Sequence, residues 1–255
     1  MGVKVSRLTV SVEGLWEEPF ASILCYPKPS EAEIGKRVAE LKRLGVTALE
    51  FSGEKHAFNV PVLGKGCVGI VVKAYRGNKK AALKIRRVDA NRAGMQREAQ
   101  MLKAANSVYV GPKLLDFSND FLLMQFIEGD LFSKWLEREI GKKRLERVLR
   151  DVLEQCWRLD GVGLDHGELS RAPKHVIVDG EDKPFILDFE TASLNRKTSN
   201  VTSLAQFLFI SGTVAEKITK ILGEKDKKAL LEALRAYKRN LNRQNFEKIL
   251  KVCGF

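Results

Sequence analysis

The spacing Gly64-x-Gly66-x-x-Gly69-x-Val71 runs straight into a β-branched stretch, Val68-Gly69-Ile70-Val71-Val72. That continuation constrains the fold more than any other feature of the chain. In a dinucleotide-binding unit the same glycine spacing follows a strand and opens a helix. Here a strand lies on the far side, so the glycines form a turn between two strands. Such a turn lets the backbone close over a ligand without Cβ clashes.

The neighbouring segments supply the rest of a sheet. Leu49–Ser52, Val68–Tyr75 and Ala81–Ile85 read as consecutive strands, with Arg76-Gly77-Asn78-Lys79 turning between the last two. Upstream, Val3, Val5, Leu8, Val10 and Val12 alternate as a strand over 3–12. Ser30 and Glu33 form a capping box ahead of Ile34, Val38 and Leu41, and Gly45 closes that helix. Downstream, Met95, Ala99, Leu102 and Ala105 share a helix face, and 121–126 is an apolar strand. After Glu128-Gly129 the pattern turns helical. Leu145, Val148, Leu149, Val152, Cys156 and Leu159 mark a buried helix ending at Gly161. A hairpin of 175–178 and 185–187 follows, and helices fill the remainder. The expected class is α+β: a β-rich lobe over 49–126, a helical lobe over 127–255, and a small αβ extension over 1–48.

Charge and cysteines narrow the setting. The net charge is +12. Residues 1–62 hold eight Lys+Arg and eight Asp+Glu, whereas residues 213–255 hold eleven against five. Half the excess therefore sits in the last 43 residues. Such a region either meets a polyanion, nucleic acid above all, or is the solvated helix face of a basic protein. No apolar run reaches the ~18 residues of a membrane span, and the first residues carry charges without an apolar signal core. Gly2 and Ser6 fit only a loose myristoylation pattern. Cys25, Cys67, Cys156 and Cys253 form no C-x-x-C pair, which argues against a disulfide framework or metal cluster and for a reducing cytoplasm. With 30% charged residues and six glutamines, the composition leans towards a thermophile.

Four further motifs follow the glycines in order. Ala81-Ala82-Leu83-Lys84 lies on the next strand and parallels V-A-I-K, its lysine flanked by Leu83 and Ile85. Glu98, 14 residues on, is the only carboxylate between Asp89 and Asp116 and suits a pair with Lys84. Leu164-Asp165-His166-Gly167-Glu168-Leu169 stands where a catalytic loop H-R-D-L-x-x-x-N belongs. Glutamate replaces its aspartate, and His175 or Lys174 takes the place of its metal-holding asparagine. Twenty residues after Glu168, Ile186-Leu187-Asp188-Phe189-Glu190 parallels I-x-D-F-G.

This ordered set resembles the protein-kinase-like superfamily, specifically its atypical RIO-like branch over about 60–210. The Asp-Phe-Glu variant is also seen in aminoglycoside and choline kinases. The strings 165–171, Lys174-His175-Val176, Asp188-Phe189-Glu190 and Asn200-Val201-Thr202-Ser203-Leu204 are similar to a compact archaeal family. That family includes the archaeal tRNA kinase, which phosphorylates the 2′-hydroxyl of the variable-loop uridine at position 47. The resemblance implies a two-lobed kinase-like fold, ATP and Mg²⁺ as cofactors, and tRNA as substrate. It implies nucleotide contacts from Gly64, Lys65, Gly66, Gly69, Val71, Ala82, Lys84, Met124, Gln125 and Phe126. Glu98 would hold Lys84 on the phosphates, and Asp188 with His175 would hold the metal. Glu168 would accept or orient the proton of the attacking hydroxyl, with Asp165 as a second candidate base and His166 beside them.

The substrate class has its own argument. Only 67 residues follow Asp188, no A-P-E is present, and a helix starts near Val201, leaving little room for a peptide platform. Arg196 and Lys197, with Lys227, Lys228, Arg235, Lys238, Arg239 and Arg243, suit a phosphate backbone. Two other expectations stand beside the RNA kinase: a RIO-like protein kinase or ribosome-assembly ATPase, and an RNA-binding pseudokinase.

Overall fold

The computed structural model describes residues 8–91 and 93–255. Val3 and Val5 of the expected first strand, and Gly2 and Ser6, lie outside the described residues. The chain forms two compact units. One runs up to Gln100 and adds Lys113–Phe126; the other comprises Met101–Pro112 and Ile127–Phe255.

In the first unit β1 (Leu8–Ser11) leads through a 3-10 turn to α1 (Phe20–Leu24), α2 (Glu31–Arg43) and β2 (Ala48–Phe51). A hairpin of β3 (Lys55–Ala57) and β4 (Val60–Val62) precedes β5 (Gly64–Lys65), β6 (Gly69–Arg76) and β7 (Lys79–Arg86). Then come α3 (Gln96–Asn106), which runs across the division between the units, β8 (Leu114–Phe117) and β9 (Phe121–Gln125). The antiparallel sheet has the order β1-β2-β6-β7-β9-β8, with β5 added to β6.

Residues 8–48 are integral to this unit rather than an extension of it. Ile34, Val38 and Leu41 of α2 share one core with Leu49, Phe51, Val72, Ala74 and Leu83 of the sheet. Each such side chain contributes ~1.5–3 kcal/mol by leaving water, so neither face is stable alone. Ser30 Oγ accepts the Glu33 N–H at 3.3 Å and starts α2. The Glu33 carboxylate does not return to Ser30; it accepts from Arg37 Nε at 2.7 Å. Arg37 is fully buried, and its Nη1 donates to Leu24 O and Arg86 O, each at 2.6 Å. Asp120, also fully buried, takes Lys36, Arg37 and Arg86. Burial would raise its carboxyl, but those cations outweigh burial and hold it below the usual range.

The second unit begins with β10 (Gly129–Leu131), α4 (Phe132–Trp135) and α5 (Lys142–Gly161). A 3-10 turn over Leu169–Lys174 precedes β11 (Val176–Asp179) and β12 (Pro184–Ile186), and another covers Phe189–Thr191. Four helices follow: α6 (Asn200–Phe209), α7 (Thr213–Leu222), α8 (Lys227–Arg239) and α9 (Arg243–Cys253). β10, β11 and β12 form a small antiparallel sheet. The apolar stripe expected on α5 is buried throughout. Among the described residues no helix is long and apolar enough to cross a membrane.

Glu50 on β2 stands beside Lys73 on β6, with Nζ 2.8 Å from Oε1. Burial alone would raise the Glu50 carboxyl, but hydrogen bonds from Lys73, Tyr75 and Ser52 outweigh it and hold the group at about 2. A depressed carboxyl stabilises the fold above its unfolded value of 4.5, and that contribution is lost as pH falls from there towards 2. Lys73→Met should therefore cost ~3 kcal/mol near neutral pH. The cost should shrink markedly at pH 3, as read by urea unfolding at both pH values. An equal cost at pH 7 and pH 3 would show that the ion pair is not its source.

Candidate functional site

The glycine motif forms the tip of a hairpin. Gly64 and Lys65 pair with Val71 and Ile70, and the Gly66 N–H reaches Gly69 O at 2.8 Å. Gly69 is required by a close approach: a Cβ there would lie 2.8 Å from Ile85 O and 3.1 Å from Lys84 Cγ. The glycine thus clears the path of the Lys84 side chain. Val71 opposes Lys84 in register, and Ala82 opposes Lys73 and Met124. Lys65 Nζ lies 4.7 Å over the Tyr26 ring. Gln125 ends β9, where its side-chain oxygen accepts the Lys113 N–H; Phe126 falls just beyond the strand with Lys73 Nζ 4.8 Å over its ring.

Lys84 is 5% exposed and Glu98 4%. Lys84 Nζ donates to Glu98 Oε1 at 2.8 Å, the pairing expected from the sequence. A buried ammonium keeps its charge only beside such a carboxylate. The pair therefore holds the Lys84 ammonium fixed and largely desolvated next to the glycine hairpin, where it is able to meet an anionic group.

In the second unit the β11–β12 hairpin brings His175 and Asp188 together. Leu187 N–H returns to His175 O at 2.8 Å, closing the β11–β12 pair and setting Asp188 beside His175. His175 Nε2 lies 3.3 Å from Glu168 Oε2, and its Nδ1 lies 3.8 Å from Asp188 Oδ2. Ligand atoms of Glu168, His175 and Asp188 lie within 4.8 Å of one another. Two carboxylates and a buried imidazole whose Nδ1 has no hydrogen-bond partner are a donor set that fits a divalent cation. Asp188 is held at φ 64° and ψ 75°, a left-handed conformation costing ~1 kcal/mol that persists where the surroundings impose it.

His166 and Asp165 take positions different from the catalytic ones expected. His166 is fully buried, and its Nε2–H donates to Leu187 O at 2.8 Å, so it braces the backbone just before Asp188. Burial pushes its imidazole down to about 4, leaving it neutral. Asp165 has both carboxylate oxygens engaged: Arg196 Nε at 2.5 Å on one, Ser199 N–H and hydroxyl at 2.9 and 3.0 Å on the other. A carboxylate so occupied is a structural acceptor rather than a base, which leaves Glu168 as the candidate. Gly167 sits at φ +89°, where a Cβ would meet Arg196 Nη2 at 2.5 Å.

The sequence reading passed over the clamp that holds this loop. Asn200 opens α6; its Oδ1 accepts the His166 N–H at 2.8 Å, and its Nδ2 donates to Leu164 O at 2.7 Å and Asp160 Oδ1 at 2.8 Å. Asp160, at the end of α5, also takes the N–H groups of Asn200 and Val201 and the Tyr237 hydroxyl. Asn200 lies in the string Asn200-Val201-Thr202-Ser203-Leu204, but its partners are 34 to 40 residues away, beyond any local signal.

Two of the arginines expected to meet RNA also form ion pairs within the protein, with side chains that stay partly exposed. Arg196 is bound to Asp165 and to Thr191 O. Arg243 forms a two-pronged pair with Glu154 and lies over Trp157. Arg235, Lys238 and Arg239 remain exposed on α8, one helical turn apart, and Lys227 and Lys228 are exposed at its start.

A family described as the RIO domain matches residues 70–204. An uncharacterized protein of Methanocaldococcus jannaschii is 30% identical over 118 residues, 46% of this chain and 99% of that one.

Asn200→Ala should cost ~3 kcal/mol, because it strands the His166 N–H and the Leu164 carbonyl inside the protein and takes one of four donors from the Asp160 carboxylate. Asn242, whose side chain caps α9 through the Asn245 N–H at 2.8 Å, is the control. Asn242→Ala should cost only ~1 kcal/mol. Denaturant unfolding of both variants checks the contrast, and equal costs would remove the clamp from the account.

Proposed function

The chain belongs to the RIO-domain family, kinase-like phosphotransferases that use ATP, and from that premise we propose that it phosphorylates a 2′-hydroxyl of tRNA. By resemblance, the acceptor is the uridine at position 47 of the variable loop. The observation that carries phosphoryl transfer is the cluster of Glu168, His175 and a left-handed Asp188. Its partner feature is the buried Lys84–Glu98 pair.

ATP supplies the phosphoryl group, and a divalent cation at Asp188 and His175 supplies charge neutralisation. The chain's own residues do the rest by position. The glycine hairpin covers the phosphates, Lys84 binds them, and Glu98 keeps Lys84 in place. Glu168 accepts or orients the proton of the acceptor hydroxyl. His166 and Asn200 keep that loop from shifting, because transfer depends on sub-ångström alignment.

Support for RNA comes from the exposed cations of α8 and from the short interval between Asp188 and α6, which starts at Asn200. A phosphate backbone meets such a stripe with a salt dependence of roughly −0.7 to −0.9 per contact on a log–log scale. Structured RNA hides its base edges in a deep groove, so shape and a splayed loop nucleotide would carry recognition. A RIO-like protein kinase or ribosome-assembly ATPase would use the same catalytic residues, and the acceptor assay separates the readings.

Incubation with γ-labelled ATP and either total tRNA or total protein should label tRNA. A target tRNA carrying a 2′-deoxy nucleotide at the acceptor should bind nearly as well and take up no phosphate. Undiminished labelling of the deoxy substrate would sink the 2′-hydroxyl assignment, and labelling of protein but never tRNA would promote the alternative. Lys84→Ala and Asp188→Ala should abolish transfer in folded protein. Glu168→Gln should lose ~10²–10⁴-fold in turnover while ATP still binds.

A further inference from the structure

His175 is the residue that departs most from the expected cluster chemistry. By resemblance, it or Lys174 stands where an asparagine would offer an oxygen to the ion. Its side chain is largely buried, with the residue 8% exposed, yet Nδ1 has no hydrogen-bond partner. A buried polar atom left in that state costs ~1–3 kcal/mol unless something fills the gap. The gap has a definite size, because Nδ1 and Asp188 Oδ2 are 3.8 Å apart. Two ligands on one octahedral dication at ~2.1 Å stand about 3 Å apart when adjacent and about 4.2 Å when opposite. The observed separation lies between those two values, so a shift of a few tenths of an ångström by the partly exposed Asp188 carboxylate seats one ion between Nδ1 and Oδ2.

The far side of the ring is equally informative. Nε2 lies 3.3 Å from Glu168 Oε2. A metal-bound imidazole ordinarily gives its other N–H to a carboxylate, which fixes the tautomer and makes the ligating nitrogen more basic. Glu168 occupies that position. With the proton on Nε2, Nδ1 carries the lone pair and points it towards Asp188.

The nature of the ligands then selects the ion. Mg²⁺ takes oxygen ligands and gives up water reluctantly. Imidazole nitrogen beside carboxylate oxygen suits the first-row transition metals, which bind such sets more tightly along the series from Mn²⁺ onwards. We propose that His175 Nδ1 and Asp188 hold a transition-metal dication in preference to Mg²⁺, with Glu168 orienting the imidazole from Nε2. Glu168 thereby serves two partners: one oxygen holds the ligand ring, and the other is left for the acceptor hydroxyl. The role of the ion in transfer rests on the phosphotransferase reading; the choice of ion rests on these three residues.

The test uses the full chain without nucleotide and Mn²⁺ as the probe. Electron paramagnetic resonance should show Mn²⁺ binding at one site, with Mg²⁺ needed in at least tenfold excess to displace it. Electron spin-echo modulation should show coupling to ¹⁴N of a directly bound imidazole. His175→Asn should abolish the nitrogen coupling and bring the Mn²⁺ and Mg²⁺ affinities to within a few-fold of each other. Glu168→Gln, at a half-exposed position that tolerates exchange, should keep the nitrogen coupling and weaken Mn²⁺ about 10–100-fold. Bound Mn²⁺ without nitrogen coupling, displacement by an equal concentration of Mg²⁺, or an unchanged affinity in Glu168→Gln would each overturn the proposal. Labelled-ATP transfer is scored separately. Transfer without nitrogen coupling would sink the metal assignment alone, and nitrogen coupling without transfer to any acceptor would sink the phosphotransferase reading alone.

Discussion

Charge removed from water has to be matched inside the protein, and the arrangement of both units follows from that requirement. In the first unit Asp120 gathers Lys36, Arg37 and Arg86, which joins α2 to the sheet. Lys84 is held by Glu98 in the same way. In the second unit Asp160 binds the start of α6 and the Tyr237 hydroxyl of α8, and Asp165 is taken up by Arg196 and Ser199. Each pairing pins an element that the apolar core alone would leave free to slide. Hydrophobic contact is non-directional, whereas a hydrogen-bonded charge has to be met from one direction at one distance.

That distinction explains why so many of the polar groups around the candidate residues of each unit are taken up by one another. Lys84, Glu168, His175 and Asp188 are the groups suited to chemistry. Glu98, His166, Asn200, Asp160 and Asp165 hold them or their loops in place. His166 supports the residue before Asp188, and the hairpin and that support fix the chain leading into the left-handed Asp188. Small strain at a functional carboxylate, carried by a well-satisfied surrounding network, is a common division of labour.

Much of this was legible from the chain. The turn between strands at Gly64–Gly69, the Lys84–Glu98 pair, α2, α5, and the hairpin leading to Asp188 were all expected, because each rests on a local period or a fixed spacing. The short strands were not. β3, β4 and β10 have three residues each, and β8 buries only every other residue partially around an irregular register at Asp116, so none carries a strong alternation. The first 48 residues looked like an extension for a related reason. The apolar positions of residues 10–46 were visible, but the surface they pack against is built from strands 49–83 and further on.

The roles of individual charged residues were the least accessible. Arg196 and Arg243 read as surface cations, which they are, but their ion pairs inside the protein were not visible, nor was the occupation of Asp165, read as a second candidate base beside Glu168. Each identity depended on a neighbour 31 to 89 residues distant: Arg196 with Asp165, Arg243 with Glu154. What the sequence by itself determined was the class of fold, the order of its functional elements and the residue types available for phosphoryl transfer, since periodicity and spacing are properties of neighbouring positions. Which carboxylate is occupied, which arginine is engaged and which imidazole nitrogen remains open were decided only by tertiary structure, because a side chain's partner is set by distance in space and not along the chain.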